Sequence, residues 1–255
     1  MDKLAFNAVA AINEQRLTRQ VLAHEMANVN TTGFKKSFES SLKAFKADGQ
    51  GFDTNYQPQV VHSDQIQLTP GPQMVTGRDL DISMNNSTVM GVTAPNGELA
   101  FTRRGDLRLN VNGVLSTSTG EVVKAEGGGQ ISVPQGFKVN IGDDGSVFAV
   151  DPNQPGVQQP VQIGQILLRD AANAALNRRQ DGLFQVQGQT IGSDIASGRG
   201  QSSITVGSLE ASNVNPMETM VRLIEQSRTF EQQVKVVKEV QSTDESGATM
   251  MKLAS

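Results

Sequence analysis

At 255 residues the chain has room for one large β-rich domain or two smaller ones, and its 37% hydrophobic content and mean hydropathy of −0.31 are low for an enzyme with a large buried core. No Trp, one Tyr and 25 Gly point to many short strands and turns. A net charge of −4 supplies no basic face for nucleic acid, and zero cysteines exclude a disulfide framework and thiolate metal sites.

Residues 1–12 carry Asp2 and Lys3 and hold no apolar run long enough for a secretory signal, and no segment approaches a transmembrane span. If the chain leaves the cytoplasm, the expectation is that it does so without a cleaved signal. Residues 2–28 contain no Gly or Pro and predict a helix of about 40 Å. Leu4, Ala8, Ala11, Ile12, Leu22, Met26 and Val29 line one face, interrupted at Gln15 and Arg19, while Phe6, Ala10, Leu17 and Val21 line another. A helix apolar on two sides is one wedged between several neighbours. It should stop at Asn28-Val29-Asn30-Thr31-Thr32-Gly33, where Asn and Gly tolerate positive φ, with Phe34 folding back as an anchor. Residues 37–64 are polar, interrupted by Gly49-Gln50-Gly51, and read as a linker with at most short strands or one short helix.

From Pro70-Gly71-Pro72 onward the pattern turns β. Residues 88–93 and 98–103 flank Asn96-Gly97, and 106–111 and 114–116 flank Asn112-Gly113. Residues 138–141 and 147–150 flank Asp143-Asp144-Gly145, and 161–168, 183–186 and 204–206 complete the series. Strands about every ten residues with such turns predict an antiparallel sandwich or barrel. An Ala-rich piece within 170–192 admits one helical turn, and 193–203, rich in Ser and Gly, reads as a loop.

The last stretch is a helix with a built start. Asn215 is a good N-cap, Pro216 occupies the first helical position, and Glu218 favours the positive helix end. No Gly or Pro interrupts the run as far as Val240. Met220, Leu223, Ser227, Phe230, Val234 and Val237 recur at 3-4-3-4-3 spacing, a seam widened by Met217 and Ile224. Two helices alone cannot bury such a seam together with a two-faced stripe, so self-association is expected. The free chain is expected to order these ends only on assembly.

Chemistry-bearing constellations are sparse. His24 and His62 lack metal-ligand partners at i+3 or i+4, and no nucleophile elbow is present. Asp79 with Asp81 and Asp143 with Asp144 sit beside turns, and Gly127-Gly128-Gly129 lacks the Lys-Ser/Thr of a phosphate loop. No cofactor or metal site and no catalytic residue is assigned. The pairs Lys35-Lys36, Arg103-Arg104 and Arg178-Arg179 read as solvated surface.

Three segments carry a recognisable pattern. Ala27-Asn28-Val29-Asn30-Thr31-Thr32-Gly33-Phe34-Lys35 resembles the N-terminal signature A-N-x-x-T-x-G-F-[KR] of the flagellar basal-body rod and hook family. Thr102-Arg103-Arg104-Gly105-Asp106-Leu107 resembles that family's T-R-x-G segment, and Glu210-Ala211-Ser212-Asn213-Val214-Asn215 with Arg228-Thr229-Phe230-Glu231 and Lys235 its C-terminal block. Thr76-Gly77-Arg78-Asp79-Leu80-Asp81-Ile82 is similar to a run of the proximal-rod branch, with Asp79 where proline is common. Asn85-Asn86-Ser87-Thr88-Val89-Met90 departs from the usual G-x-G-aromatic stretch, and Ala100-Phe101 from the usual aromatic pair at the hairpin.

The resemblance implies an α+β fold in which both terminal helices pair as a coiled-coil layer, with an antiparallel β domain outside it. In that frame residues 1–34 and 208–255 form the helical core domain, 35–69 a linker and 70–207 the β domain. It implies export through the flagellar type III apparatus and assembly with copies of itself and other rod proteins in the periplasm, without small-molecule substrate or membrane insertion. Leu4, Ala8, Ala11, Ile12, Leu22 and Met26 of the first helix and Met217, Met220, Leu223, Ile224, Phe230, Val234 and Val237 of the last, together with Asn28, Gly33, Phe34 and Asn213, would be the assembly interface. A distal-rod or hook-type subunit, and a soluble oligomeric binding module whose helices only dimerise, stay open as alternatives.

Overall fold

The computed structural model describes residues 2–38, 41–46, 56–61, 64–152, 160–195 and 202–253. The loop prediction for 193–203 and His62 therefore lie partly or wholly outside the described residues. The chain forms two compact units, one of residues 1–27, 39–63 and 215–255, the other of residues 28–38 and 64–214.

The first unit holds helix α1, Asp2–Ala27, helix α2, Pro216–Leu253, and an antiparallel pair of strands, Ser41–Lys46 and Tyr56–Val61, within the stretch read as a linker. α1 touches both α2 and the strand Tyr56–Val61. The start of α2 follows its sequence: Asn215 Oδ1 accepts the N–H groups of Met217 at 3.1 Å and Glu218 at 3.3 Å, satisfying two of the free amides of a helix start. Glu218 turns along the helix to Arg222 at 2.8 Å. α2 runs on well past Val240, to 38 residues or about 57 Å. Its polar tail folds hydroxyls back onto the preceding turn, Thr243 to Glu239 O and Ser246 to Ser242 O, both at 2.8 Å.

The second unit is antiparallel throughout its described strands. Its largest sheet runs in the order Leu176–Arg178, Phe184–Val186, Leu99–Thr102, Thr88–Thr93, Val122–Val123, Leu115–Thr117, Leu107–Leu109, with Leu168–Asp170 also pairing Thr88–Thr93. A three-stranded sheet joins Lys138–Ile141, Ser146–Val150 and Val161–Gln165. The Asn-Gly hairpins form where the sequence put them: Met90 faces Thr102 and Thr93 faces Leu99 around Gly97, whose φ of 84° needs a residue without Cβ. Lys138–Ile141 alternates exposed and buried, as a strand with one wet face should. Thr88–Thr93 is instead covered on both faces, with Met90 and Val92 in the main core and Val89 in a smaller one.

Three expectations change. The run 161–168 is two strands in different sheets, with buried Ile166 and Leu167 at the crossing. The Ala-rich piece is no helical turn: Asp170 Oδ1 accepts the Ala172 N–H at 3.0 Å, Ala174 N–H returns to Ala171 O, and a strand follows. The chain also makes two strand pairs that the pattern did not announce, Gln73–Val75 with Ser208–Glu210 and Ile82–Met84 with Ile204–Val206. The main core gathers Ile82, Met84, Met90, Val92, Leu107, Leu115 and Val147 with their neighbours, and a smaller one gathers Ile66, Val89, Phe101, Leu176 and Phe184. Beside them the buried Arg169 holds Asp194 through two bonds and Glu126 at 2.6 Å, pinning two loops to the strand Leu168–Asp170.

Candidate functional site

The three motif segments, far apart in sequence, meet inside the second unit. Glu210, in the strand Ser208–Glu210, accepts from Lys35 Nζ at 2.6 Å on Oε1 and from Arg103 Nε at 2.7 Å on Oε2. All three side chains are buried, Lys35 and Arg103 completely. The reading of the Lys35 and Arg103 pairs as solvated surface is thus corrected for one member of each. Two cations around one anion would be costly in a dry interior unless the remaining donors were filled. They are filled by main-chain carbonyls: Lys35 Nζ donates to Thr69 O at 2.9 Å, and Arg103 donates to Asn86 O at 2.5 Å, Thr88 O at 3.1 Å and Met84 O at 2.6 Å. Glu210 Oε1 also takes the Gly71 N–H at 2.9 Å. Burial, foremost, and the neighbouring Arg103 lower the Lys35 ammonium to about 8, against the opposing pull of Glu210.

Glycines let backbone come this close. Gly33 donates its N–H to Glu210 O at 2.8 Å with φ of 70°, and a Cβ there would stand 2.3 Å from Arg103 O. At Gly105 a Cβ would stand 1.7 Å from Ile82 O. Asn213 closes the assembly: its Oδ1 accepts the Lys36 N–H at 2.7 Å and its Nδ2 donates to Gln67 O at 3.0 Å. Phe34 lies under the Arg178 guanidinium, 4.5 Å from ring centre to Cζ, and Arg178 also donates to Lys35 O. Asn28 accepts from the Thr31 hydroxyl at 3.1 Å in the turn after α1. Asn28, Gly33, Phe34 and Asn213 thus all make contacts inside this unit.

The helix residues divide differently. On α2 the half-buried or buried positions among the described side chains are Thr219, Arg222, Leu223, Gln226, Phe230, Gln233, Val234, Val237 and Val240, an arc turned by roughly one residue from the seam read in the sequence. Arg19 of α1 lies over the Phe230 ring at 4.8 Å, and Leu22 of α1 is buried. Ala11, Ile12 and Met26 are half-buried; Leu4 and Ala8 lie on α1, and their surroundings are outside the described side chains. Met217, Met220, Val221 and Ile224, exposed by half or more, form a second apolar face roughly 150° round the helix at 100° per residue. Leu17 and Val21 are exposed on α1. Gln15, which breaks the stripe in the sequence, lies in the covered face, and the Oε1 atoms of Gln15, Gln226 and Gln233 are buried without a hydrogen-bond partner.

The acid pairs weighed as catalytic candidates are turn residues. Asp144 accepts from Ser146 N–H at 2.9 Å and Oγ at 2.7 Å, bonds that hold its carboxyl below the usual range. Asp79 is exposed while Asp81 is buried beside Arg78 at 3.0 Å.

Two family models match. One, flagellar basal body rod FlgEFG protein C-terminal, covers residues 205–250, and the other, flagellar hook protein FlgE/F/G D1 domain, covers residues 84–149. The flagellar basal-body rod protein FlgF of Salmonella typhimurium is 30% identical over 96% of both chains, and that of Escherichia coli 28% over 94% of both. The flagellar basal-body rod protein FlgG of Buchnera aphidicola subsp. Acyrthosiphon pisum is 31% identical over 86% of this chain and 88% of its own. The chain belongs to the flagellar basal-body rod and hook protein family, whose members are structural proteins. Its likeness runs to the FlgF type, and its place is the rod of the basal body.

Proposed function

We propose that the chain is a subunit of the proximal rod that polymerises through its terminal helices with its own copies and other axial proteins. α1 and α2 pair as a coiled-coil layer that transmits torque, and the chain reaches the periplasm through the flagellar type III apparatus. In this reading α1 and α2 make the helical core domain and the second unit the β domain.

The single observation that carries the assembly reading is the uncovered face of α2, Met217, Met220, Val221 and Ile224, opposite the face that meets α1. An apolar stripe of this kind gains about 1.5–3 kcal/mol for each large side chain taken from water. The unpartnered glutamine oxygens of Gln15, Gln226 and Gln233 argue the same way, since each buried acceptor left without a donor costs about 1–3 kcal/mol. A repacked helix layer relieves both costs. The test is a Met220→Glu/Ile224→Glu variant in a strain lacking the native gene. These surface changes should leave the purified chain folded but abolish motility and recovery of the subunit with basal bodies. Normal swimming would overturn the reading. A stable discrete dimer of the intact chain, undisturbed by the variant, would favour the binding-module alternative.

A further inference from the structure

Arg103 is fastened to the chain between the strands Ile82–Met84 and Thr88–Thr93 by three main-chain carbonyls, those of Met84, Asn86 and Thr88, and offers its Nε to Glu210. Two other segments come to this fixed post. Residues 33–38 bring Lys35, and residues 208–213 bring Glu210. They hold each other through Gly33 N–H to Glu210 O and Lys36 N–H to Asn213 Oδ1, and both hold residues 65–72. There Phe38 N–H donates to Gln65 O at 2.8 Å, Gln67 N–H to Lys36 O at 2.9 Å, and Ala211 N–H to Pro72 O at 2.8 Å.

We infer that Glu210 is a latch for both ends of the chain: one buried carboxylate holds the 33–38 and 208–213 straps on Arg103, and losing its charge frees both straps together while the strands around Arg103 stay closed. Without the carboxylate, the two basic groups face each other in a site closed to solvent. Among the described residues Arg103 keeps three carbonyl acceptors and Lys35 one, Thr69 O, so Lys35 is the group that leaves. Its departure carries 33–38 away and strips the partners from 208–213. Five residues separate the end of α1 at Ala27 from the first strap, and two separate the second strap from the start of α2 at Pro216. This inference does not depend on what the helices assemble with.

The experiment is amide hydrogen exchange on the full chain and on Glu210→Gln. The amides of Gly33, Phe38, Gln67 and Ala211 should exchange on the order of 100-fold faster in the variant, all to a similar degree, while those of residues 89–92 and 100–102 change by less than about threefold. Uniform acceleration through the whole unit would overturn the latch, as would acceleration confined to 208–213. Adding Lys35→Met to Glu210→Gln removes the stranded cation and should return at least about tenfold of the strap protection; no recovery overturns the proposal. Should Glu210→Gln fail to fold, the double variant is compared with wild type directly. Straps exchanging about tenfold faster than in wild type around a protected core then support the latch; straps as slow as in wild type, acceleration through the whole unit, or an unfolded double variant overturn it.

Discussion

Lys35 Nζ and Glu210 Oε1 stand 2.6 Å apart although 175 positions separate them in the chain, and the pair is shut off from solvent. Each belongs to a different family motif, and Arg103 brings in the third. The motifs therefore mark a joint within the β unit.

The lowered ammonium of Lys35 predicts how stability varies with pH. Between about 8, where folded Lys35 releases its proton, and the unperturbed 10.5, the unfolded chain binds more protons than the folded one. Stability should therefore rise with pH across that window, relative to Lys35→Met, by an amount on the order of 3 kcal/mol. Urea unfolding of both proteins at pH 7, 9 and 10.5 measures the difference. A gap that stays constant would show that Lys35 is not the titrating group.

Replacing Arg103 by Met should cost about 3–5 kcal/mol of unfolding free energy, because it strands three carbonyls and takes away one of the two cations that Glu210 meets. Arg104→Met is the matched control. Arg104 is partly exposed and holds Asp106 at 2.7 Å, a pair worth about 1 kcal/mol or less. Equal losses for the two would place Arg103 outside the centre of the joint.

Glycine substitutions separate crowding from backbone strain. Gly97→Ala meets nothing within 4 Å and should cost about 1–2 kcal/mol from its positive φ alone. Gly105→Ala carries its Cβ onto Ile82 O and should cost more, at least about 3 kcal/mol. Thermal unfolding of both variants gives the order; a milder Gly105→Ala would mean that the backbone yields there.

Removing the cap of α2 by Asn215→Ala should cost about 1 kcal/mol of helix stability, through loss of the bonds to Met217 and Glu218. Circular dichroism should show reduced helicity in the free chain and a smaller difference once subunits assemble. Unchanged helicity in the free chain would mean that α2 is held there by contacts other than its cap.

What the sequence made legible was local. Asn-Gly turns, alternation and the Asn215-Pro216 start each lie within a few residues and need no partner to be recognised. The strands Gln73–Val75 and Ser208–Glu210 were not legible, since three residues are too few to alternate and their partners lie more than 130 positions away. The buried state of Lys35 and Arg103 was hidden for a related reason. A charged pair looks like surface until the matching carboxylate, supplied by Glu210, is placed beside it. On α2 the spacing located the apolar residues but not which arc α1 would cover, because Met217, Met220 and Ile224 extend the stripe round the helix.

The assembly account is tested most directly by a photo-crosslinking residue at position 220, within the uncovered face of α2, in cells that build flagella with this chain as their only copy. The account predicts an adduct in isolated basal bodies that mass spectrometry identifies as this chain joined to a second copy or another rod protein. Basal bodies that contain the subunit but yield no such adduct would contradict it.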